Sequence, residues 1–218
     1  MPVVAVLSGI GKVAAAMTTT LLLQQFGVSR VVFTGTAGAL SDGLRVGDVV
    51  VADGLLQHDM DASPLFPRYE IPLLGTACFR PDPALSSILL AAAAALVRDL
   101  HVPTPDGIDA ATLRKFGIHD PRVHRGLVVS GDRFIASREE RARLRNAIPA
   151  AMAVEMEGAA LAQVCHAFGA AFAVLRVISD SASDAAQVDF DAFIEEAARR
   201  YTLAAVRHCV AALRMASP

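Results

Sequence analysis

Short apolar runs of strand length recur along the chain, each followed by a glycine or polar turn, and several of them lead into a stretch with the composition of a helix. Apolar runs this short predict buried β-strands. They lie at residues 3–7, 30–34, 126–131, 151–157 and 171–180, and residues 44–53 predict a further pair of strands broken at Gly47.

Five of the intervening stretches predict helices, because alanine and leucine predominate in most of them and glycine or proline marks several of their ends. They are residues 12–26, 83–100, 139–146, 158–169 and 190–215. Residues 58–76 and 101–122 contain several prolines and predict irregular loops. Strands that alternate with helices predict an α/β fold with a largely parallel sheet, and a length of 218 residues suits one domain.

Composition narrows the class of protein. Apolar residues make up 54% of the chain and charged residues 19%, which predicts a folded, core-rich protein. A net charge of −2 offers no footprint for nucleic acid, no apolar run reaches the roughly 18 residues that cross a bilayer, and no basic region marks a signal peptide. Cys78, Cys165 and Cys209 form no C-x-x-C pair, so we expect a reducing, cytoplasmic location.

Residues 9–14, GIGKVA, match the G-x-G-x-x-A pattern of a dinucleotide-binding turn. That fold also needs an acidic residue at the end of the next strand, where it holds a ribose hydroxyl. Here the strand ends in Phe33-Thr34-Gly35, which carries no carboxylate. We therefore expect a tight strand-to-helix turn whose glycines let the backbone approach something other than a pyrophosphate.

Two glutamates stand where the strand at 151–157 ends. Glu155 and Glu157 are two residues apart, so an extended strand places them on one face, where like charges repel. From spacing alone, a functional pair and a Glu157 that only serves a helix N-terminus are both open. Ligands of open α/β sheets bind beyond such strand ends, which makes these carboxylates candidate acids, bases or hydroxyl ligands.

The strand at 171–180 is apolar except near its end and at Arg176. A lone arginine in a buried strand needs a carboxylate partner, and Glu155 on a nearby strand is the candidate. Asp180 shares a face with Arg176 if the strand stays extended. The segment SDSASD at 179–184 also offers N-cap residues, so a capping role for Asp180 is open.

Six segments occur in a familiar order: SGIGKVAAA, TGTAGAL, VGDVVVAD, VSGDRFI, AVEMEGAALAQVC and VISDSASD. In them the chain resembles the nucleoside phosphorylase/hydrolase superfamily, and most closely its 5′-methylthioadenosine/S-adenosylhomocysteine nucleosidases. VEMEGAA with a downstream R-x-I-S-D is the specific part. The resemblance implies one α/β/α sandwich domain over residues 1–218, short at its N-terminus, with a mixed, largely parallel sheet. It also implies a homodimer that uses water to break the bond between adenine and ribose, with no metal or organic cofactor.

The resemblance implies roles for four polar residues at the reacting bond. Asp180 matches the acid that protonates adenine N7, and Glu157 matches the carboxylate that binds the ribose hydroxyls. Arg176 and Glu155 match the pair near the water. The transition state of such a reaction resembles an oxocarbenium ion, so the leaving base must be protonated and the ribose held.

Eight further residues match positions that bind the nucleoside. The resemblance places them beneath and along the sugar, against the adenine, behind the acid and around the alkylthio tail. In that order they are Thr36, Gly38 and Met156; Phe134 and Ile135; Ser179; and Ile10 and Phe190.

Two departures from the family pattern leave alternatives. Family members carry a G-A-M-x-x-E segment before SGIGK whose glutamate activates the water, and no residue here matches it. Residues 58–72, HDMDASPLFPRYEIP, replace a glycine- and tyrosine-rich segment; His58, Asp59 and Asp61 in it predict a loop or subunit contact rather than a metal site. A purine nucleoside phosphorylase and an inactive nucleoside-binding relative therefore stay open, as does aminodeoxyfutalosine as substrate.

Overall fold

The computed structural model of the chain describes residues 2–100, 108–180 and 186–215. The strands within them are β1 Arg30–Ala39, β2 Val49–Gln57, β3 Cys78–Phe79, β4 Val123–Ser130, β5 Ala151–Glu155 and β6 Ala171–Asp180. The α-helices are α1 Lys12–Gln25, α2 Pro83–Asp99, α3 Ala110–Lys115, α4 Arg138–Ala147, α5 Gly158–Phe168, α6 Ala186–Phe193 and α7 Arg199–Met215, with a π-helical turn, Ile194–Ala198, between the last two.

The strands lie in the order β3-β2-β4-β5-β1-β6. Neighbours β2, β4 and β5 are parallel, and β1 is parallel to β6. The two sets meet antiparallel where β1 pairs with β5. Residues 49–51 of β2 also pair with β6, so the sheet curls round on itself. The prediction of an α/β fold with a mixed, largely parallel sheet is confirmed.

Helices cover the sheet from both faces, and β2 shows why. Successive side chains of a strand point to opposite faces. Val49 lies in one apolar cluster with Leu89 of α2 and Tyr201 of α7, whereas Val50 lies in another with Leu161 of α5. Both faces of the strand are therefore buried, which explains why residues 49–52 are all apolar.

The N-terminal apolar run is not a strand, contrary to the prediction. Residues 3–7 pair with no strand in the described part of the chain, and Val3 is 54% and Leu7 95% exposed. A strand is stable only where a neighbour takes up its backbone hydrogen bonds. An apolar pattern does not reveal whether that neighbour is present.

Strand β1 runs further than predicted, through the GTAGA segment expected to be a loop. Gly35 explains how: a Cβ there would lie 2.4 Å from Arg176 Nη1, so only glycine leaves room for the guanidinium of the next strand. The glycine that suggested a loop thus serves a close approach between strands.

Several other boundaries also differ. Residues 44–48 form a turn rather than the first strand of a pair, α3 lies inside the loop predicted at 101–122, and β3 was missed. Strand β5 ends at Glu155, and α6 begins before the helix predicted at 190–215. Helix α3 depends on Asp109, whose carboxylate accepts the backbone N–H groups of two residues in its first turn. Residues 101–107 of the predicted loop lie outside the described residues.

No helix among residues 2–100, 108–180 and 186–215 has the length and apolar character needed to cross a membrane.

Candidate active site

The polar residues singled out in the sequence line one cavity of about 500 Å³. It lies beside the carboxyl ends of β1, β5 and β6 and the loop that follows β4. Every predicted site residue is on its wall: Ile10, Thr36, Gly38, Phe134, Ile135, Glu155, Met156, Glu157, Arg176, Ser179, Asp180 and Phe190. Segments far apart in sequence therefore meet at one edge of the sheet.

Gly38 marks the point where three strands come together. It pairs with Val154 of β5 on one side and with Asp180 of β6 on the other. A bulge between Ala37 and Gly38 shifts the register of β6 at this point. Since neighbouring strands lie about 4.8 Å apart, the ends of β5 and β6 are separated by about 10 Å, with β1 between them. The carboxylates at the ends of β5 and β6 thus line one cavity, on strands that β1 separates.

Glu155 is 6% exposed and its carboxylate is fully engaged with protein donors. It accepts hydrogen bonds from the Ser130 hydroxyl, from Arg176 and from the backbone N–H groups of Glu157 and Gly158, the latter two at 2.9–3.0 Å. Burial by itself raises the pKa of a carboxyl, but the Arg176 charge and these donors outweigh it and hold the pKa of Glu155 below its ordinary value. Glu155 is therefore an ionised, poorly basic group.

Arg176 is 1% exposed and pairs with Glu155, as predicted from its position in an apolar strand. Its guanidinium carbon lies 4.2 Å from the centre of the Phe33 ring, and its Nη2 lies 4.0 Å from a Glu157 oxygen. Its Nε is buried and has no hydrogen-bond partner among the described residues. One guanidinium thus faces two carboxylates and a ring at the base of the cavity.

Glu157 stands at the N-cap position of α5, yet its side chain makes no capping hydrogen bond. Instead its Oε1 accepts the backbone N–H of Gly11 at 2.8 Å. Partial burial and the nearby Glu155 charge raise the pKa of Glu157 above its ordinary value of 4.5. The capping of α5 falls to Glu155, so the helix-terminus explanation for Glu157, left open by the sequence, does not describe its contacts.

Asp180 ends β6 and is 2% exposed. The Ser179 hydroxyl donates to its Oδ2 at 2.7 Å, which matches the supporting place expected for that serine. The alternative in which Asp180 caps a following helix depends on residues 181–184, which lie outside the described residues. A buried carboxyl that faces a cavity can exchange a proton with a group bound there, which makes Asp180 a candidate general acid.

Apolar residues form much of the remaining wall. The rings of Phe134 and Phe190 meet edge to face, with centroids 5.4 Å apart. Ile10 also lines the cavity but is 82% exposed, so it stands at the mouth. Two apolar rings beside several carboxylates suit a ligand with an aromatic part and a polar part.

Sequence analysis missed three residues that shape the site. Ser130 donates to Glu155, Gly11 donates to Glu157, and Gly35 leaves room for Arg176. All three belong to quoted segments, but the partner of each lies more than 20 residues away along the chain. Within the described part of the chain, no group of three or more His, Cys, Asp or Glu side chains is arranged to hold a metal ion.

Comparison with known proteins agrees with this geometry. Residues 1–214 match the model of the Phosphorylase superfamily. The 5′-methylthioadenosine/S-adenosylhomocysteine nucleosidase of Staphylococcus aureus strain bovine RF122 / ET3-1 is 38% identical over 192 residues, which are 88% of this chain and 74% of that protein.

Two solved structures extend the comparison. The Neisseria meningitidis nucleosidase of the same name, in complex with methylthio-immucillin-A, is 36% identical with a TM-score of 0.77, over 94% of this chain and 78% of the other. The futalosine hydrolase of Helicobacter pylori strain 26695 is 34% identical with a TM-score of 0.73, over 93% and 76%. With a family model matched over nearly its whole length and a relative 38% identical over 88% of it, the chain belongs to the phosphorylase superfamily.

Proposed function

We propose that this chain is an N-ribosyl hydrolase that breaks the N-glycosidic bond of 5′-methylthioadenosine and S-adenosylhomocysteine, releasing adenine and the thioribose. The observation that carries the proposal is the placement of two carboxylates in different surroundings on the wall of one cavity. Asp180 is buried with a hydroxyl donor, and Glu157 is held by a backbone N–H. The Staphylococcus aureus and Neisseria meningitidis relatives, 38% and 36% identical, carry this activity in their names.

The two carboxylates divide the work that an oxocarbenium-like transition state requires. Asp180 donates a proton to N7 of the leaving adenine, so that the base departs neutral. Glu157 accepts hydrogen bonds from the ribose hydroxyls, which strengthen as positive charge develops on the sugar. Met156 lies along the sugar, and Phe134 stacks on the base. We infer that Glu155 acts through Arg176, because its own lone pairs are taken up by protein donors.

The charges around the cavity favour water over phosphate as the nucleophile. Both arginines on the wall already have carboxylate partners, since Arg133 pairs with Glu140 and Arg176 with Glu155. Glu157 adds a further carboxylate. A phosphate dianion entering this site meets net repulsion, whereas neutral water does not. The resemblance attributes water activation to a glutamate in a segment that no part of this sequence matches.

Release of adenine tests the proposal. Purified protein incubated with methylthioadenosine in phosphate-free buffer is expected to produce free adenine, followed by chromatography, at a rate unchanged by added phosphate. Adenine that appears only after phosphate is added contradicts hydrolysis and indicates a phosphorylase. Bound nucleoside with no adenine indicates an inactive binding relative. Because a futalosine hydrolase is among the similar structures, aminodeoxyfutalosine is assayed in parallel.

We infer that the protein is a single-domain homodimer that uses one face of α1. Val13, Met17 and Leu21 recur every four residues and are 80%, 60% and 48% exposed. An apolar helical stripe of this kind is typical of a subunit interface. Light scattering is expected to give twice the 22.9 kDa mass of the chain, and a 22.9 kDa particle at micromolar concentration contradicts the dimer.

Cys78, Cys165 and Cys209 are free thiols, which fits a cytoplasmic location.

A further inference from the structure

Three charged residues from three separate segments meet beside the cavity. Lys12 begins α1, Asp59 follows β2, and Asp132 follows β4. Lys12 Nζ donates to Asp59 Oδ1 at 2.7 Å, and the Lys12 backbone N–H donates to Asp132 Oδ1 at 2.8 Å. The Asp132 backbone N–H in turn donates to Asp59 Oδ2 at 2.9 Å. Each residue is therefore bonded to both of the others, and the three form a closed triangle.

Two residues of this triangle, Lys12 and Asp132, are close in sequence to residues that contact or line the cavity. Gly11, immediately before Lys12, is the residue whose N–H holds Glu157. Its φ is 91°, and a Cβ there would lie 3.1 Å from Asp132 Oδ1, so turn and loop are in close contact. Phe134 follows Asp132 by two residues and lines the cavity. The triangle thus connects Gly11, which donates to Glu157, to the loop after β4, which carries Phe134.

Asp59 accepts hydrogen bonds from both Lys12 and Asp132. The residue before it, His58, adds contacts to the segment that follows β4. The His58 backbone N–H donates to the carbonyl of Ser130 at 2.9 Å, and the His58 imidazole fills the space where a Cβ on Gly131 would stand. Partial burial raises the pKa of Asp59, but the bonds from Lys12 and Asp132 outweigh it, so the pKa lies below its ordinary value. The Asp59 side chain is 30% exposed and that of Lys12 is 18% exposed.

We propose that Asp59 is a positioning residue for ribose recognition: by tying Lys12 to Asp132, it fixes the Gly11 N–H that orients the Glu157 carboxylate. The inference rests on the proposed function, in which Glu157 binds the ribose hydroxyls. Loss of the Asp59 charge loosens the turn at Gly11, and Glu157 then samples orientations that do not meet the hydroxyls. Contacts to the sugar hydroxyls weaken more than contacts to the adenine or the tail.

The test is the preference for a ribose 2′-hydroxyl. Calorimetry gives dissociation constants for methylthioadenosine and its 2′-deoxy analogue, with every protein carrying Asp180→Asn to slow the turnover of both ligands. Asp59→Asn is expected to lower the ratio of the 2′-deoxy constant to the methylthioadenosine constant about tenfold, since small misplacements of a binding group have effects of this size or larger. Lys12→Met, which removes the positive charge of the triangle, is expected to lower the ratio similarly. The double variant Asp59→Asn/Lys12→Met is expected to lower the ratio no further than either single variant.

The ratio separates positioning from folding, because a smaller folded fraction weakens both ligands equally and cancels. Asp59→Glu, which keeps the charge, is expected to restore part of the preference. Asp61→Asn is the matched control: the same change two residues away, at a side chain bonded to Ser63 and outside the triangle.

An unchanged ratio in Asp59→Asn overturns the inference. Absence of any 2′-hydroxyl preference when Asp59 is intact overturns the role given to Glu157, and the inference with it. Failure of the proposed function appears separately, as absence of adenine release when Asp180 is intact, and leaves the binding ratios measurable.

Discussion

Asp180→Asn is expected to lower the rate of adenine release about 10²–10⁴-fold, the usual contribution of a positioned general acid. The amide keeps the shape of the carboxyl and can still accept the Ser179 hydroxyl, but it has no proton to give to adenine N7. Binding of methylthioadenosine therefore changes little, and the loss falls on kcat rather than KM. Steady-state kinetics with adenine detection measures both.

A substrate analogue with carbon in place of N7 sharpens this prediction. It cannot be protonated at that position, so the unaltered enzyme and Asp180→Asn are expected to process it equally slowly. Asp99→Asn makes the same chemical change in an exposed ion pair and is expected to keep full activity. A loss below tenfold in Asp180→Asn, or a large difference between the two proteins on the analogue, contradicts the role given to Asp180.

Glu155→Gln is expected to lower the free energy of unfolding by about 3–5 kcal/mol, because it leaves the Arg176 guanidinium buried without its carboxylate. Arg176 is 1% exposed, so water cannot replace the lost partner. Since the pKa of Glu155 lies below its ordinary value of 4.5 in the folded protein, its stabilising contribution is present above that value. It is lost as the pH falls through the folded-state pKa, so the difference between the two proteins shrinks in acid. Urea unfolding at several pH values measures it.

The double variant Glu155→Gln/Arg176→Met removes both buried charges. It is expected to be more stable than Glu155→Gln alone, because neither partner is then left unpaired. Arg143→Met, in the exposed Arg143–Glu139 pair, is the control and is expected to leave the unfolding midpoint unchanged. Additive losses in the double variant contradict the description of Glu155 and Arg176 as one buried unit.

The sequence by itself determined the fold class and singled out residues that line the cavity. Apolar runs separated by helical stretches are a local property, so the α/β fold with a largely parallel sheet could be predicted from them. The lone Arg176 in an apolar strand was enough to predict a carboxylate partner, because an unpaired buried charge is costly. Motif resemblance then named the residues that surround the cavity.

Only the tertiary structure decided how those residues divide their contacts. Spacing placed Glu155 and Glu157 together but could not show that Glu155 caps α5 and pairs with Arg176 while Glu157 is held by Gly11, 146 residues away. It could not show that residues 3–7 pair with no strand in the described part of the chain, or that Lys12, Asp59 and Asp132 form one triangle. These outcomes depend on which distant segments meet in space, and hydrophobic periodicity records only the face that a residue presents, not the partner that it finds there.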